Sequence, residues 1–264
     1  QVSIKVMCAR CGHLYANPQL DNEEISRLYG RIYRSPALGY ADEQPSPTYL
    51  YWKQRKAEAD LTWLNKQLAA SQDRGTVLEI GCAEGLLLSL LAREGWHCVG
   101  VEPTLSYAQY AQETFRLLVH ARVFEDVAFG KERFDLIIAL KVVEHAKDPV
   151  RMLTDIRNLL KPDGAVYLTV PNALRPDNTP GEFLGAPHLS LFTASSLRRM
   201  LSRAGLGGTV VDDSRRFLRA FAGPIDLARL KIDSPVDLEQ EFRRVRRAMR
   251  SYRALSAVER ASIG

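Results

Sequence analysis

The order of elements along this chain predicts an α/β fold, a doubly wound and mostly parallel sheet. Three observations carry that prediction. Between residues 76 and 222, short aliphatic and β-branched runs alternate with amphipathic stretches, the pattern of strands joined by crossover helices. The first run, Thr76-Val-Leu-Glu-Ile-Gly-Cys-Ala-Glu-Gly85, ends in glycines at 81 and 85 and passes directly into the leucine-rich stretch 86–92. That places a tight turn at the positive end of a helix, where backbone can approach a ligand closely. The last two runs, Gly208–Asp212 and Arg216–Ala222, are separated by three polar residues, too few for a crossover, so they form an antiparallel hairpin.

Taken in order, residues 1–20 form a first segment containing Cys8-Ala-Arg-Cys11-Gly-His13. Two thiolates at this spacing clamp one side of a tetrahedral zinc ion. The other half of such a site is absent from the sequence, so Cys8 and Cys11 are a half-site, and His13 follows too closely to make a convincing third ligand. Residues 21–75 read as a helical cap. Helical spacing runs over Glu23–Tyr33 and Tyr49–Ala70, with Trp52, Ala59, Trp63, Leu64 and Leu68 as inward positions and a proline-rich loop between. Tyr29, Tyr33, Tyr40 and Tyr49 are candidates to line a substrate pocket, or simply to pack the cap.

Residues 76–222 carry the alternating pattern: Thr76–Gly81, Leu86–Glu94, His97–Val101, Ser106–Phe115, Leu117–Phe124, Phe134–Leu140, Pro149–Leu160, Ala165–Val170 and Ser195–Ala204, then the hairpin. Asp148 is an N-cap and Pro149 a first helical residue. In the final segment, 223–264, Ser234-Pro235-Val236-Asp237 starts a helix on which Leu238, Phe242, Val245, Met249 and Tyr252 recur every three or four residues among arginines. Such a seam packs on its own domain or on a second copy of the chain.

The chain's 264 residues hold one sizeable α/β domain plus appendages. No apolar run approaches the roughly 20 residues of a membrane span. Net charge is +5, yet residues 215–264 hold twelve Lys and Arg against six Asp and Glu, leaving the remainder near neutral. A basic tail suits an anionic partner or a solvated helix face. Cys82 and Cys98 sit in apolar surroundings and read as reduced core thiols, which suits a cytoplasmic setting.

The residues with chemical signatures follow one another at informative spacings. Glu79-x-Gly81-x-Ala83-x-Gly85 is a glycine turn whose middle glycine is replaced by alanine. Glu102, at the end of the next strand, lies about 20 residues beyond, where a carboxylate can accept both hydroxyls of a ribose. Phe134-Asp-Leu-Ile-Ile-Ala-Leu140 leads into Lys141-Val-Val-Glu144-His145-Ala-Lys-Asp148-Pro149, and Lys161-Pro-Asp-Gly164 precedes the strand ending at Pro171-Asn172. In this order these motifs closely resemble the class I S-adenosylmethionine (SAM)-dependent methyltransferases of the small-molecule type (type 11/23-like), over roughly residues 50–222. The first segment resembles the tail of the zinc-ribbon-like stretch that precedes some of them.

That resemblance implies a seven-stranded Rossmann-like sheet, SAM as cofactor and methyl transfer to a small-molecule acceptor. The methylated group is expected to be a hydroxyl of a sugar, a polysaccharide precursor or a secondary metabolite. It further implies that Gly81, Cys82, Ala83 and Gly85 hold the aminocarboxypropyl end of SAM, with Glu79 ordering the turn. Glu102, followed by Pro103, holds the ribose. Phe124 and Glu125 lie by the adenine, with Asp126 an alternative to Glu125, and Leu140 and Lys141 border the sulfonium. Zinc at Cys8 and Cys11 stays in doubt.

A hydroxyl nucleophile must lose its proton, and histidine titrates in the right range. His145, with Glu144 beside it, and His188, in the long loop after the fifth strand, are the catalytic candidates. Shaping the pocket or positioning the substrate is the alternative role for either histidine. A nicotinamide oxidoreductase is the rival enzyme, disfavoured because Gly-x-Gly-x-x-Gly would need glycines where Ala83 and Leu86 stand. A non-catalytic SAM-binding partner subunit is the rival from another class. Nucleic acid is disfavoured as a substrate, since the Asn/Asp-Pro-Pro-aromatic motif of amino-methylation is missing; a homodimer through the C-terminal helix is the protein partner expected.

Overall fold

The computed structural model describes residues 4–8, 12–19, 24, 40–41, 44–68, 74–175, 188–212, 216–225, 237, 239–248 and 250. The chain divides into two compact units. One comprises residues 26–140 with 158–167, and the other residues 1–25, 141–157 and 168–264.

In the first unit, strands β5 (Thr76–Ile80), β6 (His97–Val101), β7 (Leu118–His120) and β8 (Phe134–Leu140) are connected by α2 (Leu86–Arg93) and α3 (Leu105–Phe115). β5 pairs in parallel with β6 on one side and β8 on the other, and β6 pairs in parallel with β7. Val77, Leu78, Leu136, Ile137, Ile138 and Ala139 are 2% exposed or less. This is why the central strands read as unbroken apolar runs rather than alternating ones. Asp135, at the start of β8, clamps the sheet's lower edge. Its Oδ2 accepts from the Thr76 amide at 2.7 Å and lies 2.8 Å from the Lys161 ammonium; these bonds hold its carboxyl below the usual range despite some desolvation.

A short hairpin, β3 (Tyr40–Ala41) and β4 (Gln44–Pro45), precedes α1 (Pro47–Asn65). Ser46 caps α1 through the Tyr49 amide, and Pro47 occupies its first turn. Its inward face differs from the expected one. Trp52 is 66% exposed and Ala59 is also exposed, whereas Ala57, Asp60 and Leu64 are buried. The reason lies in Asp60: its carboxylate accepts from the buried Tyr167 hydroxyl at 3.0 Å and from Lys56 at 2.7 Å. A polar residue thus takes an inward position, rotating the apolar pattern away from the one periodicity favours. Trp63 is still placed inward, its ring stacked 4.7 Å from that of Tyr167.

In the second unit, β1 (Lys5–Met7), β2 (Leu14–Ala16) and β10 (Ser190–Leu191) form a small antiparallel sheet that the Cys-rich pattern did not announce. α4 (Pro149–Leu159) starts as expected: Asp148 accepts from the Arg151 amide at 2.9 Å. α5 (Ala194–Arg203) begins in a capping box between Thr193 and Ser196. β11 (Leu206–Asp212) and β12 (Phe217–Pro224) are antiparallel, with a register shift between Gly207 and Val210. β9 (Leu160–Pro171) is longer than the expected Ala165–Val170 and has residues in both units.

The main sheet has seven strands in the order β11-β12-β9-β8-β5-β6-β7. This is the expected fold: a mostly parallel sheet finished by an antiparallel pair. One strand is shorter than expected, because Phe124 lies in a 3-10 turn, Phe124–Asp126, beyond β7. Its ring packs 6.2 Å from that of Phe129, which in turn meets Phe134.

Residues 239–248 are helical. Val245 is buried with Leu14, Ala173 and Leu191, and Glu241 is buried and accepts from the Thr193 hydroxyl. Phe242 is 48% exposed. The predicted seam is therefore split, since Val245 serves the chain's own core and Phe242 does not. Leu238, Met249 and Tyr252 lie outside the residues whose side chains are described.

Candidate functional site

The turn after β5 is built on three residues in the left-handed region: Gly81 (φ 70°), Ala83 (φ 46°) and Gly85 (φ 72°). At Gly85 a Cβ would come 2.8 Å from both Ala111 Cβ and Leu117 Cδ1, so glycine is required there twice, for space and for conformation. Ala83 pays a steric penalty, and its amide shows what holds it: Ala83 N donates to Glu102 Oε2 at 3.0 Å. Glu102 Oε1 accepts from the Thr104 amide at 2.7 Å. One carboxylate at the end of β6 thereby fixes the glycine turn of β5 and the start of α3 together.

Glu102 is 6% exposed; burial raises its pKa while the Thr104 and Ala83 bonds oppose the rise. Each oxygen has one backbone donor and retains acceptor capacity. The Gly81 and Cys82 amides both point to the Val101 carbonyl. Cys82 is 5% exposed and packs beside Gly100, where a Cβ would lie 2.7 Å from its sulfur. Burial, with Glu79 and Glu102 nearby, pushes the thiol well above its ordinary pKa, so it is a packing group.

Glu79 lies one strand away. It is 4% exposed and its Oε2 has no hydrogen-bond partner. Burial drives its pKa up to about 8, against the attraction of Lys56 and with the repulsion of Asp60 and Glu102. A buried carboxyl oxygen without a partner is costly unless a ligand donor meets it. The residues therefore fit a ligand with a cationic or N–H-bearing end near Glu79 and hydroxyls near Glu102, and SAM has both. Pro103, Glu125 and Asp126 are exposed, and Leu140 is half-buried. Phe124 is 8% exposed and lies within the Phe129–Phe134 aromatic cluster.

In the other unit, Lys141 takes φ 60° immediately after β8, its amide donating to the Thr169 carbonyl at 2.8 Å and its ammonium 5.1 Å from the Phe217 ring. Two residues on, the chain enters a 3-10 turn, Val143–His145. Glu144 in that turn is completely buried, and neither carboxylate oxygen has a hydrogen-bond partner. Burial pushes its pKa up to about 8. β10 packs against this turn, which brings His188 in: the His145 and His188 ring centroids are 5.1 Å apart. The two histidines expected from sequence, 43 residues apart, are thus neighbours. Lys5, which no motif signalled, donates from β1 to the His188 carbonyl, and burial lowers its pKa to about 8.

His13 turns inward. It is 6% exposed, its Nε2 lies 3.1 Å from Ser190 Oγ, and burial lowers its pKa to about 4. Cys8 closes a turn with Gly12 and His13 through backbone bonds. Cys11, Tyr29 and Tyr33 lie outside the described residues, as does the Tyr40 side chain.

Comparison with known proteins adds an independent line. A family model described as "Methyltransferase domain" matches residues 51–209, more than half of the chain. The chain is 35% identical over 127 residues to a ubiquinone biosynthesis O-methyltransferase of Cereibacter sphaeroides, covering 42% of this chain and 51% of that protein. A protein of the same name from Dinoroseobacter shibae is 29% identical over 173 residues, covering 55% and 69%. The chain thus spans about half the length of the Cereibacter relative.

Among solved structures, magnesium protoporphyrin IX methyltransferase from Synechocystis PCC 6803 superposes with a TM-score of 0.52 at 17% identity, covering 78% of this chain and 98% of that one. The CcbJ methyltransferase of Streptomyces caelestis gives a TM-score of 0.53, also at 17% identity, covering 71% and 94%. At such identities the likeness is one of fold.

Proposed function

The chain belongs to the methyltransferase-domain family of class I SAM-dependent enzymes, and from that premise we propose that it methylates a hydroxyl of a small molecule. The observation that carries this reading is the Glu102 carboxylate, which bridges the Ala83 and Thr104 amides and keeps lone pairs for a ribose. SAM, when bound, supplies a methyl group already activated on a sulfonium. The chain's own residues bind and orient: the Gly81–Gly85 turn cradles the aminocarboxypropyl end, Glu79 meets its ammonium, Glu102 takes the ribose hydroxyls, and Glu125 or Asp126 takes the adenine. Leu140 and Lys141 border the methyl donor.

His145 and His188, whose rings are neighbours, are the residues proposed to take up the acceptor proton, with Glu144 in the same 3-10 turn as His145. Alignment of the reactants is the larger part of the catalytic effect, worth several kcal/mol. Proton removal by a positioned histidine adds about 10²- to 10⁴-fold. The relatives named as ubiquinone biosynthesis O-methyltransferases support oxygen as the methylated atom. Sugars, polysaccharide precursors and phenolic or other secondary metabolites are the acceptor classes to test. Free Cys82 and Cys98 support a reducing, cytoplasmic setting, and among the described residues no helix is long and apolar enough to cross a membrane. Exposed Phe242 on the 239–248 helix is the place for a contact with a second copy.

The test is a screen of hydroxylated acceptors for acceptor-dependent formation of S-adenosylhomocysteine. The reading expects turnover with one acceptor class and a fall of at least about 100-fold in kcat for the double variant H145A/H188A. Unchanged turnover in that variant would remove the histidines from the chemistry.

A further inference from the structure

The side chains that gather after β8 are also a metal-binding donor set. We propose that Glu144, His145 and His188 hold one divalent transition-metal ion, zinc or ferrous iron by donor type, with a coordination position open to the acceptor. Each residue offers one ligand atom, and these atoms all lie within 4.8 Å of one another. Among the described residues this is the one such grouping of His, Cys, Asp and Glu.

The second observation is independent of spacing. Glu144 is 0% exposed and both of its oxygens lack a hydrogen-bond partner. A buried carboxyl group left in that condition is costly, and a cation placed against one of its oxygens would stabilise the ionised form.

The donor set selects the ion. Two imidazoles and one carboxylate suit Zn²⁺ or Fe²⁺, whereas Mg²⁺ and Ca²⁺ favour oxygen ligands throughout. Bonds of about 2.0–2.1 Å in a tetrahedral arrangement put neighbouring ligand atoms about 3.3 Å apart. The cluster therefore needs to contract by no more than about 1.5 Å, a change of rotamers rather than of backbone. Three protein ligands leave a fourth position open, as in catalytic rather than structural zinc sites.

The proposal rests on the reading of this cluster as the place where the acceptor hydroxyl loses its proton, and it deepens that reading. Held by Glu144, His145 and His188, the ion would act as a Lewis acid on a coordinated acceptor hydroxyl, lowering its pKa so that its proton could leave to solvent. In metal-loaded protein the histidines would serve that deprotonation by holding the ion, in place of direct proton uptake, and the acceptor is one with a hydroxyl acidic enough to be held as its anion by a metal.

The full chain, stripped with a chelator, is titrated with Zn²⁺ and with Co²⁺ as a spectroscopic probe, and S-adenosylhomocysteine binding is measured by calorimetry on the same samples. The expected result is one ion per chain and a Co²⁺ visible spectrum of a four- or five-coordinate site. The isosteric E144Q and the separate H188A each weaken the ion by about 100-fold or more, since even outer-shell changes cost 10- to 100-fold, and neither alters S-adenosylhomocysteine affinity. Wild-type protein that binds S-adenosylhomocysteine but no stoichiometric ion overturns the proposal, as does metal affinity equal to wild type in both variants. An ion held at this site by protein that does not bind S-adenosylhomocysteine supports the metal centre and instead contradicts the methyl-transfer reading.

Discussion

Glu79 and Glu102 stand at the carboxyl ends of adjacent strands and are treated oppositely by their surroundings. Glu102 has a backbone amide on each oxygen. Glu79 has an oxygen with none, and burial raises its pKa to about 8. The sign of the consequence follows. An acid whose folded pKa is raised contributes stability that is complete below its unfolded value, near 4.5, and is lost as pH climbs toward 8. Lys56 and Lys53 oppose the shift, and Asp60 and Glu102 add to it. Ligand-free protein should therefore lose stability to urea between pH 5 and pH 8, and E79Q should flatten that slope. Identical slopes in the two proteins would show that Glu79 is ionised throughout. Ala83 belongs to the same scale. A residue with a Cβ at φ 46° is tolerated because the Glu102 carboxylate holds its amide in place.

At the scale of elements, α1 is held by chemistry rather than by an apolar stripe. Its buried Asp60 accepts from Tyr167 and Lys56, and Trp63 stacks on Tyr167. Removing the carboxylate leaves the buried Tyr167 hydroxyl without this acceptor. D60A should cost about 2–4 kcal/mol in urea unfolding, combining the loss of a buried hydrogen bond with a small cavity. Y167F should cost about 1 kcal/mol. Equal and negligible losses in both variants would mean that water replaces the bond. The same element shows where periodicity misleads. A helix whose inward face includes an aspartate offers no clean hydrophobic rhythm, so Trp52 and Ala59 read as buried and are exposed. The elements with local signals behaved otherwise. Asp148-Pro149 begins α4 and the short link before Phe217 makes an antiparallel pair, because caps and turn lengths act within a few residues.

For the whole molecule, the order of strands and the glycine turn were legible because each lies in a continuous stretch of sequence: β6 and β8 begin and end where the apolar runs do. The cluster around Glu144 was legible only in part. His145 and His188 stand out by residue type, but their meeting depends on β10 packing beside the 3-10 turn. The Lys5 contact to His188 joins residues 183 positions apart, a separation that no local pattern reports. The unsatisfied oxygens of Glu144 and Glu79 likewise arise from burial by distant segments. The account as a whole depends on the Glu102-anchored turn binding a sulfonium nucleoside, and calorimetry of wild-type and E102A protein with S-adenosylhomocysteine tests that most directly. Folded wild-type protein should bind one equivalent, and E102A should bind about 100-fold more weakly, the worth of charge-assisted hydrogen bonds to a buried carboxylate. No heat with folded wild-type protein, or equal affinity in E102A, would contradict it.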